Sequence, residues 1–168
     1  MKELSIVIPV YNSFECVKEL SNQIQDALKN IEYEQIMIND CSKDSSWEEI
    51  QKICAENKNV IGINLRKNSG QDSAILTGLN YAKGKYIARM DADDLSEPTR
   101  LQKQYDYLEN NPNMDLVGTF MQGFDDEGLK DIVPIKLDPV DVDLPKANPF
   151  HHATIMMKKS VYDELNGY

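Results

Sequence analysis

The sequence predicts an α/β fold with a doubly wound, mostly parallel sheet and an added antiparallel hairpin. Through the first hundred residues, short runs rich in β-branched residues alternate with stretches in which apolar residues recur at helical spacing. Such a βαβαβαβα order requires parallel strands that are joined by right-handed crossovers. After Pro112 the pattern changes to alternating polar and apolar residues around the turn sequence DDEG, which is typical of a hairpin.

Four short apolar runs predict the strands of the parallel sheet, because strands buried on both faces are apolar throughout. They are LSIVIPV at 4–10, EQIMIND at 34–40, VIGINL at 60–65 and KYIARM at 85–90. The isoleucines in the middle of these strands are expected to be almost wholly buried, namely Ile6, Ile8, Ile36, Ile38, Ile63 and Ile87.

A helix is predicted after each of these strands from apolar residues at helical spacing or from capping residues. The first helix covers 14–31, and the second includes 47–54. The third covers 73–83, and the fourth covers 98–110. Ser42, Asp44 or Ser45 is expected to cap the second helix, and Gly84 is expected to end the third, because these residue types favour helix ends.

The remainder of the chain is predicted to contain a hairpin, a loop and one more strand. The hairpin lies within 114–136, and the proline-rich segment 137–149 is expected to be irregular. The run ATIMMKK at 153–159 predicts a buried strand, and SVYDELNGY begins a helix. With 168 residues and no visible linker, the chain is expected to form a single domain over 1–168.

Composition and charge restrict the classes of partner. The net charge of −10 argues against nucleic acid or anionic lipid as the main partner. No apolar run approaches the ~20 residues that cross a bilayer, and the start MKELSIVIPVYN reaches a proline too soon for a signal peptide. Three cysteines without CxxC spacing predict neither a disulfide framework nor a zinc site, so a cytoplasmic location is expected.

Polar and charged residues follow each predicted strand, at the edge where open parallel sheets bind ligands. These residues are Pro9 to Asn12, Asn39 and Asp40, Arg66 to Asn68, and Asp91 to Asp94. Together they supply an aromatic ring, amides, two basic side chains and four carboxylates. That set suits a nucleotide base, its sugar, a diphosphate and a divalent cation such as Mg²⁺ or Mn²⁺, which prefers oxygen ligands.

The sequence DADD at 91–94 carries the strongest signal, because it places three carboxylates within four positions at the end of a strand. Like charges that close repel by on the order of 3 kcal/mol at an intermediate dielectric, and strands avoid aspartate. A bound cation would turn this repulsion into a binding site. Structural alternatives remain for the other features: packing for Tyr11, a helix cap for Asp40, a turn for Gly70, and surface charge for Arg66 and Lys67.

Other motifs with spaced acids fit less well. An EF-hand loop that began at Asp91 would have Leu95 at a ligand position and Ser96 in place of the required glycine. A haloacid-dehalogenase-type phosphatase carries its DxD on the first strand, and here the first strand ends in PVYN. Neither GxxxxGKT nor GxGxxG is present, which excludes P-loop and Rossmann dinucleotide sites.

Several segments taken together resemble the family 2 glycosyltransferases, which have a GT-A fold. SIVIPVYN resembles the family's first strand and nucleotide loop, and IMINDCSKDSS is similar to its usual VDDGSTDGT, with Asn39 and Cys41 as departures. NSGQDSAILTGLNYAKGKYIARMDADD resembles the stretch that leads to the family's DxD metal motif. PTRLQKQYDYLENNPNMDLVGT and NPFHHATIMMKKSVYDELNGY resemble the later part of capsule-type members, so the resemblance covers essentially the whole chain.

The resemblance implies a Rossmann-like GT-A fold and a role for each candidate residue. Asp93 would bind a divalent cation, Mn²⁺ or Mg²⁺, that bridges the diphosphate, and Asp94 would assist. Asp40 would contact a uracil-type base, and Asp91 would hold the ribose side. The nucleotide-binding residues would be Pro9, Val10, Tyr11, Asn12, Asp40, Lys67, Asn68, Asp91 and Ala92.

The resemblance also implies inverting transfer of a sugar from a nucleotide-diphosphate sugar, with a UDP-sugar favoured. The acceptor would be a hydroxyl or a polyprenyl phosphate in the synthesis of a surface polysaccharide or glycolipid. The family's carboxylate base usually lies beyond the element that NGY matches, so the base is expected after Tyr168. Residues 1–97 would then form the nucleotide-binding half and 98–168 an incomplete acceptor-side half, with membrane association only through segments outside the chain.

Two other hypotheses remain open. The chain could be a non-catalytic nucleotide-binding or assembly module, or a sugar nucleotidyltransferase, although the latter requires a glycine-rich signature that PVYN does not supply. His151 and His152, placed on an incoming strand, would point to opposite faces, so at most one could face the site and structural roles are favoured. Exposed apolar surface would favour a homodimer of the chain.

Overall fold

The computed structural model describes residues 2–134 and 150–165, and the predicted loop 137–149 lies outside those ranges. The described strands are β1 (Leu4–Val10), β2 (Tyr33–Asn39), β3 (Val60–Asn64), β4 (Tyr86–Arg89), β5 (Leu116–Val117), β6 (Met121–Asp125), β7 (Gly128–Val133) and β8 (Met156–Lys158). The described helices are α1 (Phe14–Ala27), α2 (Ser46–Glu56), α3 (Gln71–Tyr81), α4 (Arg100–Asn110) and α5 (Lys159–Glu164), with a 3₁₀ turn at His152–Thr154. Within these ranges, no helix combines the length and the apolar character that a bilayer span requires.

Six strands form one sheet in the order β3–β2–β1–β4–β8–β5, and β6 and β7 form a separate two-stranded sheet. Strand β1 is parallel to β2 and β4, and β2 is parallel to β3. Strand β8 is antiparallel to both β4 and β5. The predicted mostly parallel sheet with an added antiparallel hairpin is therefore confirmed.

The core lies on both faces of the sheet, as a doubly wound arrangement requires. Helices α1, α2 and α4 cover one face, where Val17, Ile50 and Leu101 pack with apolar residues of β1. Helix α3 covers the other face, where Ala74 and Leu79 pack with residues of β1 and β2. The predicted burial is confirmed, with at most 2% exposure, for Ile6, Ile8, Ile36, Ile38 and Ile87.

The predicted burial of Ile63 is wrong, because β3 lies at the edge of the sheet. A strand in that position has a neighbour on only one side, and Ile63 is only partly buried beside the apolar residues that α3 covers. An apolar run does not reveal whether its strand will be central or at an edge. The error therefore concerns the order of the strands, since the strand itself is present.

The turn between α3 and β4 also differs from the prediction, since α3 ends at Tyr81 and not at Gly84. The backbone N–H groups of Lys83 and Gly84 donate to Ser5 Oγ at 3.1 and 2.8 Å, and Lys83 N also donates to Glu34 Oε1 at 2.7 Å. A Cβ on Gly84 would lie 2.5 Å from Ser5 N, so the close approach requires glycine. The glycine serves a contact with β1, and it does not end the helix.

The hairpin segment is divided between two sheets. Strands β6 and β7 pair around Asp125 and Gly128, as the DDEG sequence predicts. Leu116–Val117, which belongs to the predicted hairpin segment, instead forms β5 in the main sheet. The pairing partner of β5 is β8, which is distant in sequence, so the local pattern could not distinguish this strand from the hairpin.

The placement of His151 and His152 on an incoming strand is wrong. Thr154 N donates to His151 O at 2.9 Å and closes the 3₁₀ turn that begins at His152. Strand β8 starts only at Met156, so the two imidazoles do not alternate between the faces of a strand.

Candidate functional site

A cavity of about 180 Å³, called the small cavity below, lies at the carboxyl ends of β1, β2 and β4. The strand ends lie side by side, since Val10 pairs with Asn39 and Val7 pairs with Arg89. Seven predicted site residues line it: Pro9, Val10, Tyr11, Asp40, Asp91, Ala92 and Asp93. Ser13 and Gln71 also line it and were absent from the prediction.

Asp40 is 3% exposed and fixes the loop that leads into α3. Its Oδ1 accepts a hydrogen bond from the backbone N–H of Ser69 at 2.7 Å, and its Oδ2 accepts one from Gly70 at 2.9 Å. Gly70 has a φ of 85°, a left-handed conformation that glycine adopts without strain. A carboxylate has about four acceptor positions, so Asp40 can accept further hydrogen bonds from a ligand.

Gln71 and Arg89 hold Asp91 in place. Gln71 Nε2 donates to Asp91 Oδ1 at 3.0 Å, and Arg89 Nη2 lies 3.5 Å from the same oxygen. Arg89 is 8% exposed, and its Nε has no hydrogen-bond partner within the described residues. Gln71 could have been predicted from the sequence, because helices of such sheets begin at the ligand edge and Gln71 is the first residue of α3. It was missed because the helix was predicted to start at Ser73, which placed Gln71 in the preceding loop.

The acidic loop, defined as residues 91–97, separates the small cavity from a larger one. Its first three residues line the small cavity, and its last four line the larger cavity. Asp94 is half-buried, and burial raises its pKa. The nearby charges of Asp91 and Asp93 raise that pKa further, and the Arg100 guanidinium opposes the rise.

The acidic loop suits a cation that is bound partly by the protein and partly by a phosphate of the ligand. Asp93 is exposed and makes no hydrogen bond or ion pair within residues 2–134 and 150–165. In the same ranges, no three His, Cys, Asp or Glu side chains lie close enough together to hold a metal by themselves. Mg²⁺ commonly binds through one or two carboxylates together with substrate phosphates. The residues therefore fit a cation that binds with a diphosphate, with Asp93 as the first candidate ligand.

Three predicted nucleotide-binding residues do not line the small cavity. Asn12 connects two loops, because its backbone N–H donates to Ser42 Oγ at 3.0 Å and its Oδ1 accepts from Lys43 N at 2.8 Å. Lys67 and Asn68 are exposed, and neither belongs to the lining. Their proposed contacts with a nucleotide stay predictions.

Four hydrogen bonds fasten the loop after β1 to the loop after β2. Besides the two bonds of Asn12, Ser13 N donates to Ser46 Oγ at 2.9 Å and Phe14 N donates to Asp44 Oδ2 at 3.1 Å. Desolvation by itself would raise the pKa of Asp44, but hydrogen bonds from Ser46 and Phe14 outweigh it and lower the pKa. These contacts fix the shape of the rim of the small cavity.

The larger cavity has a volume of about 860 Å³ and lies between the acidic loop, α4 and the β6–β7 hairpin. Its apolar lining residues include Met90, Leu95, Phe120, Met121, Phe124 and Leu129. Its charged lining residues are Asp94, Glu97, Arg100, Lys103 and Asp125. His151 and His152 line neither cavity, and His151 Nε2 lies 3.2 Å from Val133 O of the hairpin.

Arg100 is a buried cation in the wall of the larger cavity, with 8% exposure. Its Nε donates to Ser96 Oγ at 2.8 Å, and its Nη1 lies 3.5 Å from both Gln104 Oε1 and Ala153 O. Burial lowers its pKa to about 10, against the opposing charge of Asp94, so the guanidinium stays charged at neutral pH. Arg100 therefore connects the acidic loop with α4 and the 3₁₀ turn.

Solved structures resemble this chain in fold. The S. aureus protein TarS (residues 1–349) in complex with UDP aligns with a TM-score of 0.76 at 19% identity, over 98% of this chain and 49% of that one. The mannosyltransferase PcManGT of Pyrobaculum calidifontis, in complex with GDP-Man and Mn²⁺, aligns with a TM-score of 0.73 at 15% identity, over 99% and 47%. These likenesses confirm the predicted GT-A fold.

Curated relatives and a family model also match the sequence. EpsE of Bacillus subtilis is 34% identical over 99% of this chain and 60% of its own length. MJ1057 of Methanocaldococcus jannaschii is 31% identical over 96% of this chain and 58% of its own length. Both are named as glycosyltransferases, and this chain spans little more than half of each. The model of Glycosyl transferase family 2 matches residues 5–165. The chain therefore belongs to glycosyl transferase family 2.

Proposed function

We propose that the small cavity binds a nucleotide-diphosphate sugar, and that the chain is part of an enzyme that transfers this sugar to an acceptor. The family membership supports transfer, and one observation carries the choice of site: three carboxylates and an aromatic ring meet in one cavity at the ligand edge of the sheet. The protein would act in the synthesis of a surface polysaccharide or glycolipid. Residues 1–97 would supply the donor site and 98–168 part of the acceptor side.

The nucleotide half of the donor is assigned to the strand ends. Pro9, Val10 and the 45%-exposed ring of Tyr11 would contact the base and ribose. Asp40 retains acceptor capacity beyond its two backbone bonds, so it can accept from a uracil N–H. Asp91, held by Gln71, would accept from a ribose hydroxyl. A UDP-sugar is favoured, and TarS has been solved with both UDP and UDP-GlcNAc.

The diphosphate is assigned to the acidic loop together with Mn²⁺ or Mg²⁺. Asp93, exposed beside the small cavity, is the proposed ligand, and Asp94 would assist from the other side of the loop. The cation would neutralise charge on the diphosphate as it leaves. PcManGT has been solved with GDP-Man and Mn²⁺, which supports a divalent cation together with a nucleotide-sugar donor.

The proposed reaction is a single displacement with inversion. A general base takes the proton from the acceptor hydroxyl, and the oxygen attacks the anomeric carbon. The bond from that carbon to the diphosphate breaks on the opposite face, and the nucleotide diphosphate leaves with the electron pair. The carboxylate base is expected beyond Tyr168 and stays a prediction.

Calorimetric titration of UDP with and without Mn²⁺ tests the proposed donor site. We expect tighter binding with Mn²⁺, and we expect Asp93→Asn to remove most of the difference, because it loses the charge but keeps the shape. Asp26 is an exposed aspartate of α1 that lines neither cavity, so Asp26→Asn is the matched control and should bind as the wild type does. Equal affinity with and without Mn²⁺ would contradict the role of the cation, and no binding of UDP in either condition would contradict the donor site.

A further inference from the structure

The larger cavity lies next to the proposed donor site, because the acidic loop borders both. Asp91 to Asp93 line the small cavity, and Asp94 to Glu97 line the larger cavity on the other side of the same loop. An inverting displacement requires the acceptor to approach from the face opposite the diphosphate. With the diphosphate at Asp93, the larger cavity is adjacent space of sufficient volume, about 860 Å³, for an acceptor.

The wall that the hairpin contributes is aromatic and exposed. Phe120 is 56% exposed, Phe124 is 55% exposed and Leu129 is 75% exposed. The flat rings of the two phenylalanines provide a large contact area for a ligand that also has a flat apolar face. Pyranose rings have such a face, formed by their axial C–H groups, and they carry hydroxyls around the edge.

The charges of the larger cavity do not suit an anionic acceptor. Three carboxylates and two cations line it, which gives a net charge of −1: Asp94, Glu97, Asp125, Arg100 and Lys103. Each of these cations already faces an acid, since Arg100 lies in the field of Asp94 and Lys103 Nζ lies 3.9 Å from Glu97 Oε2. Asp125 pairs with Lys130 at 2.9 Å. A phosphate would have to displace an existing carboxylate partner within the described lining.

The same carboxylates suit hydroxyl groups. A carboxylate only accepts hydrogen bonds, and a sugar offers several O–H donors around each ring. Glu97 and Asp125 line the same cavity as Phe120 and Phe124, and Asp125 lies in the hairpin itself. Pockets for small ligands usually combine mostly apolar walls with a few convergent polar groups, as this cavity does.

We propose that the larger cavity binds a neutral glycan acceptor, with pyranose rings against Phe120 and Phe124 and hydroxyls toward the acidic side chains. This inference rests on the proposed function and decides between the two acceptor classes that the sequence left open. A polyprenyl phosphate would have to compete with the carboxylates that already face Arg100 and Lys103.

Saturation-transfer NMR on the 168-residue chain, with UDP and Mn²⁺ present, tests this assignment. The probes are three neutral trisaccharides (maltotriose, cellotriose and N,N′,N″-triacetylchitotriose) and farnesyl phosphate. We expect saturation transfer to at least one trisaccharide, reduced by about threefold or more in Phe120→Ala and Phe124→Ala, because each loses an aromatic contact. Tyr81→Ala is the matched control, since Tyr81 is 54% exposed at the end of α3 and lines neither cavity.

Other occupants of the wall give different results. Saturation transfer that depends on Phe124 for farnesyl phosphate but for no trisaccharide would overturn the proposal in favour of the lipid phosphate. A dimer that Phe124→Ala dissociates, with no sugar signal, would assign the wall to a second copy of the chain. No signal for any probe would also overturn it.

Titration of UDP in the same samples separates this inference from the proposed function. Both phenylalanines are more than half exposed, so their alanine variants should fold and should bind UDP as the wild type does. Binding of UDP without any sugar signal contradicts only the glycan assignment. Absence of UDP binding contradicts the proposed function itself.

Discussion

The side chains of Gln71 and Asp91 are joined by a hydrogen bond of 3.0 Å, although 20 residues of sequence separate them. Gln71 begins α3 and Asp91 follows β4, so the bond connects two elements at the carboxyl edge of the sheet. The amide donor fixes the direction of the carboxylate, and the proposed ribose contact depends on that direction.

Replacing Gln71 by alanine should therefore weaken UDP binding without unfolding the protein. Gln71 acts on the nucleotide only through Asp91, so losing one hydrogen bond of ~0.5–1.5 kcal/mol predicts an affinity about 3- to 10-fold lower, measured by calorimetry with Mn²⁺ present. Gln102→Ala is the control, because Gln102 Nε2 makes a similar bond of 2.8 Å to Asp106 in α4, outside both cavities. Unchanged affinity in Gln71→Ala would show that Asp91 does not need this partner.

Asp40→Asn should cost stability as well as affinity. Both carboxylate oxygens of Asp40 accept backbone N–H groups, from Ser69 and Gly70, whereas an amide has only one acceptor oxygen. One N–H would then face another donor at a buried position, which is expected to lower the free energy of unfolding by ~1–3 kcal/mol. Urea denaturation measures this cost, and a variant as stable as the wild type would mean that the loop before α3 is held by other contacts.

The two isoleucines Ile38 and Ile63 should respond differently to truncation. Ile38 is 0% exposed in a central strand, so Ile38→Ala is expected to lower the free energy of unfolding by ~2–5 kcal/mol. Ile63 lies on the edge strand and is only partly buried, so Ile63→Ala should cost clearly less. Chemical denaturation of both variants provides the comparison, and equal costs would contradict the observed order of strands.

Asp44 should make stability depend on pH in the acid range. Its pKa is lowered from the ordinary value of 3.8, because hydrogen bonds to the carboxylate outweigh the effect of burial. A lowered folded-state pKa means that the stabilising effect is complete above the unfolded pKa and is lost as the pH falls through the folded value. The stability difference between the wild type and Asp44→Ala should thus narrow below about pH 3.8.

Denaturation curves at neutral pH and at a series of acid pH values test the role of Asp44. Asp26→Ala, in which an exposed aspartate of α1 is removed, serves as the control and should stay within ~0.5 kcal/mol of the wild type. A difference that widens on acidification would contradict the assigned direction.

Donor binding and sugar transfer should be separable in this chain. If the base lies beyond Tyr168, the chain should bind UDP and yet transfer sugar about 10²–10⁴-fold more slowly than a longer natural protein, because general-base help is lost. Incubation of both proteins with UDP-sugars, Mn²⁺ and neutral acceptors gives the comparison. Equal rates would place the base within residues 1–168, with Asp125, Asp126 and His152 as the first residues to replace.

Much of the fold followed from local pattern, and the errors concern contacts between distant segments. The strands β1 to β4 were predictable because each is a short apolar run between turn residues. The edge position of Ile63 and the pairing of Leu116–Val117 with β8 depend on strand order, which no local pattern contains. Gly84 was misassigned for the same reason, since its requirement comes from Ser5, far away in sequence.

The candidate site was predictable where a residue follows a strand directly. Tyr11, Asp40 and Asp93 meet in the small cavity because the carboxyl ends of parallel strands share one edge. Gln71 escaped prediction because its role depends on the exact start of α3, and helix boundaries are the part of a pattern that sequence defines least well. The predicted contact of Asn12 with the nucleotide stays a prediction, and in the structure its side-chain Oδ1 accepts a hydrogen bond from the backbone N–H of Lys43.

The hydrogen bonds between the loops after β1 and β2 have a consequence for protein engineering. A graft of residues 11–14 from a relative, intended to change the choice of base, would leave the backbone N–H of Lys43 without its present partner wherever it replaces the side chain of Asn12. The recipient loop could then move, and a donor that needs a preorganised rim would bind more weakly even if every residue touching it were correct. The two hydrogen-bonded segments, 11–14 and 42–46, therefore have to be exchanged together. Donor specificity should transfer between family members only when both segments are replaced.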